Sequence, residues 1–288
     1  GQALPLWTAG AHVDFHIRPG LVRQYSLSSD PADRSTYRLT VLREADGRGG
    51  SEHVHDRLQE GDTVTVSWPR NKFRFRAASR YRFIAAGIGI TPVLPMVRAA
   101  EAAGAEWDLL YLGRRRKSMA FLEELAPYGE RVTVHASDDS GRADLTEHLS
   151  TPGPSTLVYC CGPTSLIEAV EEASGHWPAG SLQVERFTPR QSAHTQEDSA
   201  FEVEFAASGT TLTIPAGQTI LEVARWEGIT KLSSCEEGVC GTCETRILAG
   251  RADHRDSVLT PAEQEANGTM MVCVSRAQSG CPRLTLDA

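Results

Sequence analysis

No apolar run in these 288 residues approaches the roughly 20 that a membrane-spanning helix needs, and no secretory leader is visible at the start. Basic residues are the minority: 29 Lys and Arg against 37 Asp and Glu leave a formal charge of −8. That balance argues against a surface built for nucleic acid or anionic lipid. Internal repeats and low-complexity tracts are absent. What remains, 40% hydrophobic and 23% charged, is the composition of a soluble globular protein. The length allows two or three domains, each with a core of its own.

Four of the seven cysteines fall in one pattern. Cys235-Glu-Glu-Gly-Val-Cys240-Gly-Thr-Cys243 is followed by twenty-nine residues and then Cys273. Three cysteines spaced C-x4-C-x2-C with a distant fourth is the ligand spacing of a plant-type [2Fe–2S] centre. Two ferric ions need four thiolates, and a tight loop containing Gly238 and Gly241 brings three of them to one face. A zinc site usually arrives as two close pairs, or a pair followed by His, so the triplet plus single favours the cluster. Cys235, Cys240, Cys243 and Cys273 are therefore the expected metal ligands, and free thiols of this kind suit a reducing, cytoplasmic setting.

The first third alternates in short segments. Ala11–Ile17, Arg23–Ser28, Tyr37–Arg43 and Asp62–Trp68 are separated by turn signals such as Arg18-Pro-Gly20 and Glu60-Gly-Asp62. They predict antiparallel strands of a small β-barrel. The period of two puts Arg23, Tyr25 and Leu27 on one strand face and Ser26 on the other. A cation, an aromatic ring and a hydroxyl this close suit a flavin. Asp46-Gly-Arg48-Gly49-Gly50-Ser51 precedes a helical stretch, Glu52–Gln59, and a glycine turn ending in Ser at a helix start favours an anion. Together the two motifs point to a flavin with a single terminal phosphate.

In the middle third, the strand Arg82–Ala86 runs into Gly87-Ile-Gly89-Ile-Thr91-Pro92 and a helix reaching Ala103. Strand, glycine turn and helix present a helix N-terminus to a pyrophosphate, with Pro92 well placed in a first turn. Strands at Asp108–Leu112, Arg131–Ala136 and Leu157–Cys161, with helices between, predict a parallel α/β sheet. Cys160-Cys161-Gly162-Pro163-Thr164 makes a second glycine turn at the same edge. Arg114 opens a basic run, Gly113-Arg-Arg-Arg-Lys117, where a guanidinium suits the 2′-phosphate of NADPH and an acid would suit the free ribose of NADH; the two nucleotides stay even.

Thr188–Ala200 has linker composition, and the last third then follows a β-grasp order. Phe201–Phe205 and Thr211–Ile214 form a hairpin, Thr219–Trp226 a helix with Trp226 available to pack, Glu244–Leu248 a strand, and Met271–Val274 carries the last ligand. Ser233, Ser234 and Thr242 are candidate hydrogen-bond donors to cluster sulfurs. Arg276 reads as a surface charge. Residues 201–288 hold twelve acidic and seven basic side chains, a net −5, which suits docking on a basic partner.

Arg23-Gln-Tyr-Ser-Leu27, Gly47-Arg-Gly-Gly-Ser51 and the C-terminal cysteine module together resemble the phthalate dioxygenase reductase family over nearly the whole chain. The resemblance implies a multidomain fold: an antiparallel β-barrel flavin domain over 1–77, a ferredoxin–NADP reductase-like α/β parallel-sheet nucleotide domain over 78–187, a linker over 188–200, and an α+β β-grasp ferredoxin domain over 201–288. It implies FMN held by Arg23, Tyr25, Ser26, Arg48, Gly49, Gly50 and Ser51. It also implies a nicotinamide site of Gly87, Gly89, Thr91, Pro92, Cys161, Gly162 and Pro163, with Phe187 as the aromatic residue near the flavin. Electrons from NADH or NADPH would pass through FMN and the [2Fe–2S] cluster to a Rieske-type non-haem iron oxygenase acting on an aromatic or similar small substrate. The chain would be a monomer, and no general acid or base is nominated. One departure stands out: a six-stranded barrel needs a strand before Ala11, where only Gly1–Gly10 is present. A module of a self-sufficient cytochrome P450 fusion is thus the alternative reading, and a non-catalytic [2Fe–2S] carrier or redox sensor the third.

Overall fold

A computed structural model describes residues 3–44, 47, 49–190 and 198–288. Arg48 and residues 191–197 of the expected linker lie outside the described residues. The chain divides into two units, Gly1–Phe187 and Thr188–Ala288. No helix among the described residues is long and apolar enough to cross a membrane.

The first unit begins with β1 (Ala11–Arg18), which turns at Gly20 into the antiparallel β2 (Leu21–Ser26). After α1 (Gly50–Asp56), β3 (Thr65–Val66) and β4 (Arg70–Asn71) both pair with β1. Alternation decides the faces: Ala11 and Val13 are buried with Trp7 and Leu27 in one small core. The expected closed barrel is not formed among the described residues. Tyr37–Arg43 supplies one bridge, Leu39 to Leu27, and Asp62–Trp68 only the two residues of β3. Tyr37 and Leu39 do pack on the core, so the apolar alternation correctly marked burial. Beside that bridge the Ser28 N–H donates to the Arg38 carbonyl at 2.9 Å, while the Arg38 N–H turns to Ser29 Oγ at 3.3 Å instead of a backbone partner, so the outer edge of β2 gains no continuous ladder.

The same unit continues as an α/β layer. Its elements are β5 (Arg80–Ala86), a 3₁₀ turn at Gly87–Gly89, α2 (Ile90–Ala102), β6 (Glu106–Gly113), α3 (Leu122–Leu125), β7 (Val132–Ala136), α4 (Ser137–Ser140), α5 (Leu145–Leu149), β8 (Thr156–Cys161), α6 (Thr164–Ala173) and β9 (Leu182–Glu185). Strand order is β7-β6-β5-β8-β9, every pair parallel. Phe83, Ile84 and Ala85 of β5 are fully buried and α2 buries most of its length on this sheet. The order reverses at β5, so the turns after β5 and β8 share one edge, where open α/β sheets bind ligands. Glu124 pairs with both Arg38 and Arg98, the latter on α2, while Arg38 and Arg98 both reach the Ser28 carbonyl, joining the small sheet to the α/β layer.

The second unit contains β10 (Phe201–Phe205), β11 (Thr210–Ile214), α7 (Ile220–Trp226), β12 (Glu244–Ala249), β13 (Ala252–Asp253), α8 (Pro261–Ala266), β14 (Thr269–Met271), β15 (Arg276–Ala277) and β16 (Arg283–Leu286). Its sheet runs β11-β10-β16-β12-β14, with β10 and β16 parallel, the mixed order of a β-grasp. Thr219 and Glu222 form a reciprocal cap on α7, which buries Ile220, Leu221, Val223 and Ala224. Trp226 is not part of that face. It is 68% exposed, because the buried stripe ends two residues earlier, at Ala224.

Arg276 is likewise not the surface charge expected. It is 4% exposed, donates to the carbonyls of Ser199 and Pro215 at 3.0 Å and to that of Gln218, and lies over the Phe201 ring. Asp198 bonds Arg255 at 2.7 Å, and the Arg190 N–H donates to Ser257 Oγ at 2.9 Å. Both described ends of the linker are therefore bonded into this unit rather than free.

Candidate functional site

The four expected ligands sit on the loop after α7 and just beyond β14, each 3–6% exposed. Their thiols come as two neighbouring pairs, Cys235 beside Cys240 and Cys243 beside Cys273. No three His, Cys, Asp or Glu groups converge on a single metal point among the described residues. Two pairs are what a binuclear cluster asks for, since each iron takes two protein thiolates beside the bridging sulfides, and the donor set is all sulfur as such clusters require. The site fits a [2Fe–2S] group. The neighbouring Cys235, backed by Thr242, holds the Cys240 thiol below the usual range; Thr242 Oγ1 lies 3.1 Å from its sulfur.

Backbone shape fixes the loop. Gly238 has φ 70° and a Cβ there would fall 2.7 Å from Val274, so only glycine fits. Glu236 is left-handed at φ 59° without being glycine, a conformation that costs about 1 kcal/mol or more. It is retained by Arg225 Nη2 at 2.6 Å and by Ser233 Oγ. Ser233 therefore serves the loop's own carboxylate, not a sulfur. Thr242, by contrast, does meet a sulfur, that of Cys240.

At the sheet edge, the two glycine turns touch backbone to backbone. A Cβ on Gly89 would lie 2.3 Å from the Cys161 carbonyl oxygen, and one on Gly162 3.0 Å from the Ala86 Cβ. Gly87 has φ 54° and its carbonyl accepts from Tyr111 Oη at 3.2 Å. Thr91 Oγ1 donates to the Ile88 carbonyl at 2.9 Å, closing the turn, while Pro92 is buried in the first turn of α2. Pro163 is the N-cap of α6. Cys161 is fully buried and burial holds its thiol well above the usual range, so it is a neutral wall rather than a nucleophile; burial likewise pushes Cys160 up to about 12.

Glu185 belongs to this group, although the sequence reading passed over it. It pairs in register with Cys161, its Oε2 is buried without a hydrogen-bond partner among the described residues, and burial pushes the carboxyl up to about 8. Phe187, two residues on, is 40% exposed. The raised value fixes a sign. Below about pH 4.5 the carboxyl is protonated folded or unfolded. Between there and about pH 8 only the unfolded chain ionises, so stability falls as pH rises, by up to about 1.4 kcal/mol per unit. Glu185→Gln is expected to flatten that slope in urea unfolding followed from pH 6 to 9; parallel curves for both proteins would contradict it.

Arg114 and Arg115 follow β6, and Asp138 follows the adjacent β7. Asp138 takes Arg115 Nε at 2.8 Å and Arg114 Nε at 3.5 Å, and the Arg115 bond holds its carboxyl below the usual range. The basic run is thus answered by an acid 24 positions from Arg114, which local inspection missed.

On the small sheet, Tyr25 lies opposite Val13 and Ser26 opposite His12. Tyr25 is half-buried, its ring edge-on to Phe15 at 6.2 Å. Gly49 is left-handed at φ 77°, and a Cβ on Gly50 would meet the Arg23 side chain at 2.8 Å. The start of α1 thus rests on Arg23, and Ser51 Oγ accepts from the Glu44 N–H at 3.0 Å. Arg23, Gly49, Gly50 and Ser51 form one cradle that a side chain would fill, with Tyr25 and Ser26 further along the same strand as Arg23. That arrangement fits a phosphate with a ring system beside it. His12, opposite Ser26, is buried, its Nε2 has no partner among the described residues, and burial pushes it down to about 4.

Two domain families match parts of this chain. The 2Fe-2S iron-sulfur cluster binding domain family matches residues 203–278, and the oxidoreductase NAD-binding domain family matches residues 83–172. The phthalate 4,5-dioxygenase oxygenase reductase subunit of Pseudomonas putida is 42% identical over 286 residues, covering 97% of this chain and 87% of the relative. The crystal structure of phthalate dioxygenase reductase matches all of this chain and 90% of its own, with a TM-score of 0.71 at 39% identity. An intact type IV self-sufficient cytochrome P450 monooxygenase matches with a TM-score of 0.93 at 44% identity, and this chain spans 38% of its length.

Proposed function

The chain belongs to the phthalate dioxygenase reductase family, and from that premise we propose that it is an NAD(P)H-dependent oxidoreductase serving as the reductase component of an oxygenase system. FMN would supply hydride acceptance from the nicotinamide and the [2Fe–2S] cluster one-electron transfer, while this chain supplies their geometry and potential. The observation that carries the reading is the buried pairing of Cys235 with Cys240 and Cys243 with Cys273.

We assign 1–77 to flavin binding, 78–187 to nucleotide binding and 201–288 to the cluster. Arg23, Gly49, Gly50 and Ser51 hold the FMN phosphate, while Tyr25 and Ser26 orient the ring. Gly87, Gly89, Thr91, Pro92, Gly162 and Pro163 shape the nicotinamide floor. Cys161 and Glu185 exclude water from it, and Phe187 covers the ring. The chain acts, in this reading, as a monomer in a reducing cytoplasm.

NADH is the nucleotide this edge favours, because Asp138 neutralises the guanidinium groups that a 2′-phosphate would need. Asp138→Asn is expected to raise kcat/KM for NADPH about tenfold, one charge-assisted bond's worth, and to lower that for NADH. Equal effects on both nucleotides, with ferricyanide as acceptor, would contradict the assignment.

The partner we propose is a Rieske-type oxygenase of an aromatic or similar small substrate. One finding favours a second reading, a reductase module fused to a P450: the TM-score of 0.93 to such an enzyme. Reconstitution separates the two. Turnover of phthalate with NADH and the oxygenase component of a phthalate dioxygenase system supports the first. No turnover there, but reduction of a P450 haem domain seen by carbon-monoxide difference spectroscopy, supports the second.

A further inference from the structure

Trp226 and Leu232 are 68% and 79% exposed, more than any other large apolar side chain described in the unit Thr188–Ala288. They are not on mobile ground. Their chain neighbours Arg225 and Ser233 are bonded to each other at 3.1 Å and both to Glu236, clamping the end of α7 onto the cluster loop. Leu232 is three residues from Cys235, and the exposed Glu227 follows Trp226 directly. The four cysteines are 3–6% exposed, so an electron must leave through the outer surface of this loop. Electron tunnelling falls off steeply with distance, and an acceptor therefore has to seat against that surface.

We propose that Trp226 and Leu232 are the apolar anchors on which the oxygenase component docks, presenting an apolar recess rimmed by Lys and Arg. The proposal rests on the reading that electrons leave this chain for an oxygenase. An exposed Trp is the residue type that dominates interface energies, and two exposed large apolar side chains flanking one polar clamp mark an interaction surface. The net −5 of residues 201–288 complements a basic rim and sets encounter rate and orientation. In each encounter one electron leaves the cluster and one ferric iron of the acceptor becomes ferrous, with no proton transferred.

The test uses cytochrome c as the probe, a basic protein whose haem edge is apolar and ringed by lysines. Holoprotein is reduced with dithionite, freed of excess reductant and mixed with ferric cytochrome c in a stopped-flow instrument. Trp226→Ala and Leu232→Ala are expected to slow the second-order transfer, the first by about tenfold or more, while Trp226→Phe stays near the parent rate. Ferricyanide, too small to need docking, is reduced at the parent rate by all three. Unchanged transfer to cytochrome c would overturn the proposal. So would an equal slowing of NADH-driven cluster reduction, which would give the patch to the chain's own flavin-binding unit. Because dithionite loads the cluster without nucleotide, a failure of NADH to reduce it strikes the functional reading alone.

Discussion

Cys273→Ser is expected to remove the visible absorbance and the low-temperature EPR signal of the [2Fe–2S] cluster while leaving NADH-driven flavin reduction intact. Cys273 is 3% exposed and paired with Cys243, so its loss leaves the second iron with one protein sulfur. Its turn is fixed from within, the N–H groups of Val274 and Ser275 both bonding the Met271 carbonyl. Reduction of cytochrome c should fall by more than about 100-fold, since disturbing an outer-shell partner alone costs 10–100-fold at metal sites. Ferricyanide reduction, which can draw on the flavin, should persist. Metal binding also contributes folding energy, so Thr188–Ala288 should unfold at lower temperature. Cys281→Ser is the control: that thiol bonds the Arg283 carbonyl at 3.2 Å and should be replaceable without spectral change.

Gly89→Ala should give the opposite pattern. Its Cβ would stand 2.3 Å from the Cys161 carbonyl oxygen and 2.8 Å from the Gly162 nitrogen. These are backbone atoms of a buried strand end, which cannot rotate away as a side chain can. The two turns must part by about 1 Å, and a misplacement of that size costs about 100-fold in an oriented reaction. Overpacking of this kind also costs about 1–3 kcal/mol of stability. Flavin reduction by NADH is expected to collapse, while the cluster remains assembled and reducible by dithionite. A variant reduced by NADH at the parent rate would show that the contact between the turns does not shape the nucleotide site.

What was legible in the sequence was local and periodic. Cys235, Cys240 and Cys243 announce themselves because a binuclear cluster needs its ligands on one short loop. The glycine turns were legible because strand, turn and helix follow directly in the chain. The illegible features depend on residues that meet only after folding. Arg276 looked solvated, yet three backbone carbonyls from Ser199, Pro215 and Gln218 receive it. Glu185 ends a strand like any exposed acid, and only the neighbouring Cys161 strand makes its carboxyl dry. Asp138 answers Arg114 from the next strand. Tyr37–Arg43 carried strand alternation but made one bridge instead of a ladder, since alternation reports which side chains are buried and not whether the backbone finds a partner.

The central claim is that nucleotide, flavin and cluster form one electron path in this chain. Its most direct test is an anaerobic titration of the purified holoprotein with NADH, followed by absorbance and low-temperature EPR. Flavin bleaching accompanied by a rhombic [2Fe–2S] signal is expected at substoichiometric NADH. A cluster that dithionite reduces but neither NADH nor NADPH can reach, in protein that retains its FMN, would contradict it.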